Sequence, residues 1–168
     1  MTAYHAEASD TEGKEILTWQ GFGDASRELA QRIADDGFRP DVIVAVARGG
    51  LVVAGALAYA LGVKLADAMN VEFYTDVEET LPDPVLLAPL LDIDSIAGRP
   101  VLVADDVADS GRTLQLVMDI LLAAGAEVRT AVLYTKPTSI YPVDYAWKDV
   151  DAWIVFPWSA LPPVTATR

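Results

Sequence analysis

Two acidic residues stand side by side where an apolar run stops, in Pro100-Val-Leu-Val-Ala-Asp105-Asp106. Adjacent carboxylates at the end of a buried strand are costly unless a cation, a diol or solvent receives them. Three residues on comes Asp109-Ser110-Gly111-Arg112-Thr113, which opens an amphipathic stretch from Leu114 to Ala124. Consecutive backbone N–H groups, a small-residue turn, two hydroxyls and the positive end of a helix dipole suit a phosphate monoester. A solvated strand end explains the acidic pair alone, and an N-cap explains Asp109 or Ser110 alone. Neither explains the whole set. Carboxylates for ribose hydroxyls or a hydrated metal, beside a phosphate cradle, describe a site for a sugar phosphate. A Walker-type GxxxxGK motif is absent.

The elements that must position these residues follow from the pattern around them. Asp41-Val-Ile-Val-Ala-Val-Ala47 is a β-branched run that ends at Arg48-Gly49-Gly50 and leads into a helical stretch through about Leu61. The same order of strand, turn and helix returns at Pro100 to Ala124, and Gly125 is the natural residue to end that second helix. Glu127 to Tyr134 predicts a further strand, as do Lys64 to Tyr74 and Ala152 to Phe156, and Asp24 to Asp36 predicts a helix capped by Asp24. Apolar strands alternating with helices predict an α/β fold, a parallel twisted sheet flanked by helices on both faces. Ligands bind outside the carboxyl ends of such strands, which is where every polar cluster of this chain falls. Thr75 to Gly98 holds Pro82, Pro84 and Pro89 and an irregular leucine pattern, so it predicts a long loop, either a functional lid or a disordered segment.

Composition narrows the chemistry. With 168 residues, 52% of them hydrophobic, one substantial core is expected and hence one domain, 1–168. Cysteine is absent and the only histidine is His5. Disulfides, thiolate zinc sites, cysteine nucleophiles, Ser-His-Asp triads and histidine metal clusters are therefore excluded. Met1 to Lys14 is acidic and does not read as a secretory signal, and Leu51 to Val63 is too short to span a bilayer, so a cytoplasmic protein is expected. A net charge of -13 disfavours nucleic acid and anionic membranes as partners. An anionic substrate must be held by local devices such as backbone amides and metal ions.

Val101-Leu-Val-Ala-Asp-Asp-Val-Ala-Asp-Ser-Gly-Arg-Thr113 resembles the signature that binds phosphoribosyl pyrophosphate (PRPP) in the type I phosphoribosyltransferases. Ala45-Val-Ala-Arg-Gly-Gly-Leu51 resembles that family's pyrophosphate loop. Within the family the likeness is to the xanthine-guanine and hypoxanthine group, and it runs from Leu17-Thr-Trp19 to Pro163. Tyr134-Thr-Lys-Pro137 resembles the strand end that carries a purine-recognising lysine, and Ala152-Trp-Ile-Val-Phe-Pro-Trp158 resembles the segment whose aromatic ring stacks on the base.

The resemblance implies a Mg²⁺-dependent transfer of the phosphoribosyl group from PRPP to a 6-oxopurine. Arg48, Gly49 and Gly50 would approach the pyrophosphate, Asp105 and Asp106 would meet the ribose hydroxyls and the metal, and Ala108, Asp109, Ser110, Gly111, Arg112 and Thr113 would wrap the 5′-phosphate. Asp109 would steer the proton at purine N7, Lys136 would donate to O6, Trp153 would stack on the ring, and the backbone at Ile154 would meet its edge. The implied layout is a core over about 24–136, a flexible loop over 75–94 and a small hood from 14–20 and 137–163, in a dimer or tetramer. Hypoxanthine and guanine are expected ahead of adenine, with xanthine the poorest oxopurine because Ile154 to Trp158 carries no cation. The rival readings are transfer to another base, a nucleotide-sensing or RNA-binding module on the same fold, and a phosphoacceptor receiver domain. The strong acidity opposes RNA. A receiver would carry its acidic pair on the first strand, whereas here the pair follows an earlier strand and its Arg-Gly-Gly turn.

Overall fold

The computed structural model describes residues 12–72, 75–76, 79–80, 85–86 and 93–166. In chain order the elements are β1 (Lys14–Ile16), α1 (Trp19–Asp35), β2 (Val42–Ala47), α2 (Gly49–Leu61), β3 (Leu65–Glu72), β4 (Thr75–Asp76), β5 (Glu79–Thr80) and β6 (Val85–Leu86), followed by a 3-10 turn (Ile93–Ile96). Then come β7 (Pro100–Ala108), α3 (Arg112–Ala123), β8 (Glu127–Thr135), β9 (Tyr145–Asp149) and β10 (Trp153–Val155). A six-stranded sheet has the order β6-β3-β2-β7-β8-β9. Its strands are parallel except β6, which pairs antiparallel with β3 at the edge.

The period-2 geometry of the strands divides the core in two. Ile43, Ala45, Leu102 and Ala104 pack with Leu29 and Ile33 of α1 and Val53 and Leu57 of α2. Val42, Val44, Val101 and Val103 face the other way, against Leu114, Val117 and Leu121 of α3. Both faces of the central strands are thereby covered, as their apolar sequences require. The third helix ends in a Schellman pattern. Gly125 sits at φ 81°, its N–H donates to the Leu122 carbonyl at 2.9 Å, and the Ala126 N–H donates to the Leu121 carbonyl at 3.2 Å.

Three sequence expectations are corrected. The first helix starts at Trp19 rather than Asp24, because the Thr18 hydroxyl accepts the Gly21 N–H at 3.0 Å and caps it. Asp24 lies inside the helix, where its carboxylate accepts from Gln20 at 3.2 Å. Within Thr75 to Asp94, expected as one loop, β4 pairs with β5 and β6 with β3; the remaining positions 77–78, 81–84 and 87–92 lie outside the described residues. Two strands were not foreseen. Just before β9 the Asp144 carboxylate accepts the Thr130 N–H at 2.7 Å and its hydroxyl at 2.9 Å, which ties this mixed polar and aromatic segment to β8. For β1, pairing with the distant β10 supplies the hydrogen bonds, and Glu15 accepts from Lys148 at 2.7 Å and from the buried Tyr134 hydroxyl at 3.3 Å.

Candidate active site

The sheet reverses direction between β2 and β7: from β2 the chain winds outward to β3, and from β7 outward through β8 to β9. A crevice opens at the carboxyl ends of two strands at such a switch point. Here those ends carry Arg48-Gly49-Gly50 and Asp105-Asp106. The register Val42↔Val101 through Ala45↔Ala104 sets the two turns side by side. The contact is close enough that a Cβ on Gly49 would sit inside the Asp106 carboxylate, and one on Gly50 would strike the Ala104 carbonyl oxygen. Glycine is required at both places for space, since neither has a positive φ.

Asp105 is only 9% exposed, and its Oδ1 accepts the Asp106 N–H at 2.9 Å. Burial, and then repulsion from Asp106, hold the Asp105 carboxyl well above the usual carboxylate range. Burial raises Asp106 as well, against hydrogen bonds that include one from the Trp158 indole N–H. A pair held in this way favours a proton or a cation. A cleft of about 620 Å³ lies against it, lined by Arg48, Gly49, Asp106, Trp158, Leu161 and Pro162 among others.

The turn from Asp109 to Gly111 leads from β7 into α3. Gly111 precedes the helix at φ 76° and offers no side-chain cap of its own, while the Arg112 N–H donates to the Ser110 hydroxyl at 3.4 Å. A second turn, after β8, braces the first. The Lys136 N–H donates to the Ala108 carbonyl at 3.1 Å, the Ile140 N–H to the Ser110 carbonyl at 3.0 Å, and the Thr138 hydroxyl to the Asp109 carbonyl at 3.1 Å. A Cβ on Gly111 would come within 2.6 Å of Ser139 Oγ and 2.7 Å of Tyr141 N. Residues 138–141 therefore shape the cradle, although nothing in their types announced it.

Lys136 directly follows β8, with its Nζ 3.8 Å from Asp109 Oδ1 and 5.9 Å from the centre of the Trp153 ring. Trp153 is 47% exposed, whereas Ile154 is buried, so Ile154 offers a ligand its backbone alone. The fold thus gathers Arg48, Gly49, Asp105 and Asp106 into one group and Asp109, Lys136 and Trp153 into another, with the 109–113 turn joined to both through β7. Sequence reading missed Trp158 and the tail beside it as walls of the cleft.

Residues 12–162 match the phosphoribosyl transferase domain model. The chain belongs to that family. Among curated phosphoribosyltransferases it is 34% identical to the xanthine-guanine phosphoribosyltransferase of Cereibacter sphaeroides, over 84% of each chain. The crystal structure of a purine phosphoribosyltransferase from Pyrococcus horikoshii superposes with a TM-score of 0.77 at 34% identity, covering 92% of this chain and 99% of that one. A hypothetical protein from Neisseria gonorrhoeae with bound ppGpp has a TM-score of 0.76 at 27% identity, covering 88% and 90%. Among the described residues of this phosphoribosyltransferase, no helix is long and apolar enough to cross a membrane.

Proposed function

We propose that this phosphoribosyltransferase transfers the 5-phosphoribosyl group of PRPP to N9 of a 6-oxopurine, giving a nucleoside 5′-monophosphate and pyrophosphate. The observation that carries the reading is the grouping of Lys136, Asp109 and Trp153 on one side of a phosphate cradle, with Asp105-Asp106 and Arg48-Gly49 on the other. That order matches the order of base, sugar and diphosphate in the reactants. The first-turn N–H groups of α3 and the Ser110 and Thr113 hydroxyls would bind the 5′-phosphate. Arg48 and the amides of Gly49 and Gly50 would face the pyrophosphate. Asp109 would take or steer the proton displaced from the purine, and Trp153 would stack on the ring.

Two carboxylates and no larger acidic or histidine cluster among the described residues suit Mg²⁺, which keeps several waters and bridges substrate phosphates. When bound, the ion would neutralise charge on the departing pyrophosphate. The protein's share is to hold the reactants in line and keep water from the cationic sugar. A cytoplasmic homo-oligomer is part of the same reading.

Lys136 favours an O6 acceptor over the adenine amine, because a desolvated ammonium facing a donor costs about 1–3 kcal/mol. Hypoxanthine and guanine are therefore expected to exceed adenine in kcat/KM by about tenfold or more. For xanthine, two observations support a different proposal from the sequence expectation. Lys14 of β1 stands opposite Trp153 in register, so a cation from a distant segment flanks the stacking strand, and the Cereibacter relative is named for xanthine and guanine. Xanthine thus joins the accepted bases. The test is kcat/KM for hypoxanthine, guanine, xanthine and adenine at saturating PRPP, with Lys136→Ala and Lys14→Ala alongside. Adenine as the best substrate, or unchanged discrimination in Lys136→Ala, rejects the base pocket as described.

A second reading, a nucleotide-sensing protein without catalysis, is favoured by one observation, the ppGpp bound in the Neisseria structure. The same assay separates the two. A sensor would bind nucleotide and release no pyrophosphate.

A further inference from the structure

Trp158 follows β10 at the start of the C-terminal segment, and three aromatic rings hold it. It stacks on Phe156 with centroids 4.9 Å apart and planes 15° from parallel, meets Phe22 edge-on at 5.3 Å, and lies 6.0 Å from Trp19. Trp19 and Phe22 belong to the first turn of α1, whose start is fixed by the Thr18 cap. With its ring held between α1 and Phe156, the indole lines the cleft beside Asp106, and a hydrogen bond from it is among the contacts that oppose the rise of that carboxyl. An indole N–H can only donate, so it suits an ionised carboxylate acceptor. The same two residues line the cleft beside Arg48 and Gly49.

We infer that Trp158 is a positioning residue, whose indole N–H holds the Asp106 carboxylate turned toward the Arg48-Gly49 cleft in readiness for the substrate. The inference rests on the proposed phosphoribosyl transfer for its functional consequence, while the contact itself stands apart from it. The physical basis is preorganisation: Asp106 is the last acidic residue of β7, has a glycine on one side and the tail on the other, and the indole adds a side-chain donor from the tail to the backbone N–H of Val107. Leu161 and Pro162 continue the same wall, so the tail beyond β10 forms part of the site.

The deciding variant is Trp158→Phe, which keeps a ring among Phe22, Phe156 and Trp19 and removes only the N–H. Turnover is expected to fall about tenfold. The KM for the purine should stay within about twofold, and the Mg²⁺ concentration giving half-maximal activity should rise severalfold. A packing role alone predicts a neutral Trp158→Phe and a damaging Trp158→Ala. A second readout needs no activity. The chain has four tryptophans, so the indole N–H resonance lost in Trp158→Phe identifies Trp158, and that resonance should move in Asp106→Ala. Wild-type turnover and Mg²⁺ requirement in Trp158→Phe, or an indole resonance indifferent to Asp106→Ala, overturns the inference. If the wild-type protein releases no pyrophosphate with any base, the transferase reading fails, and the resonance shift still decides whether Trp158 holds Asp106.

Discussion

Gly49→Ala is expected to leave the protein folded and to remove about a hundredfold from its turnover, roughly 2.7 kcal/mol of barrier. The added methyl would occupy the place of the Asp106 carboxylate. That carboxylate ends a flexible side chain and can swing aside, so the fold yields at small cost. Function does not, because the swing carries a site carboxylate away from the cleft. Its neighbour behaves in the opposite way. A methyl at Gly50 meets the Ala104 carbonyl and comes 3.2 Å from Asp105 Cα, both backbone atoms of the central strand β7. Gly50→Ala should therefore destabilise the fold by about 1–3 kcal/mol, the usual cost of overpacking. Thermal melts with steady-state kinetics separate the two. A fully active Gly49→Ala variant would show that the placement of Asp106 has no bearing on the reaction.

Removing the divalent metal is expected to abolish pyrophosphate release, and Asp106→Asn to lower turnover at least tenfold, about 1.4 kcal/mol, with the fold intact. The asparagine keeps the shape and loses the charge. Full activity in EDTA, or an unaffected Asp106→Asn, rejects the metal-assisted reading. The companion variant Asp105→Asn carries a stability signature. Burial and then the charge of Asp106 raise the Asp105 carboxyl well above its usual range. A carboxyl that holds its proton more tightly when folded costs the fold stability as pH rises from the unfolded value, about 3.9, through the folded one. Below the unfolded value both states are protonated and the cost vanishes. Asp105→Asn should thus melt higher than wild type at pH 7, with the gap closing in acid, while its turnover drops. A lower melting temperature at pH 7 would falsify the account of Asp105 as a strained site carboxylate.

How much of this was legible in the sequence depends on the distance over which each feature is built. Asp41 to Ala47 and Pro100 to Asp106 read as strands because a β-branched or apolar run with a polar end leaves few alternatives, and the observed β2 and β7 fall there. The 109–113 turn was legible because a cradle built on one helix start lies in consecutive residues. Helix α1 was misjudged by five positions. Gly21 and Gly23 lower its apparent propensity, and the cap that overrides them is a single hydroxyl at Thr18.

The amino-acid order by itself determined the two strand-turn-helix units, the alternation that splits the core, and the residue types available to bind a phosphorylated sugar. Each depends on periodicity or on contacts a few residues apart, and such information is local. Only the tertiary structure decided which turns face each other. The pairing of β2 with β7 brings Gly49 against Asp106, β1 meets β10 to set Lys14 beside Trp153, and Trp19 and Phe22 confine the ring that reaches Asp106. These contacts join segments far apart in the chain. They follow from burying both faces of one sheet, a condition on the whole chain that no short stretch carries.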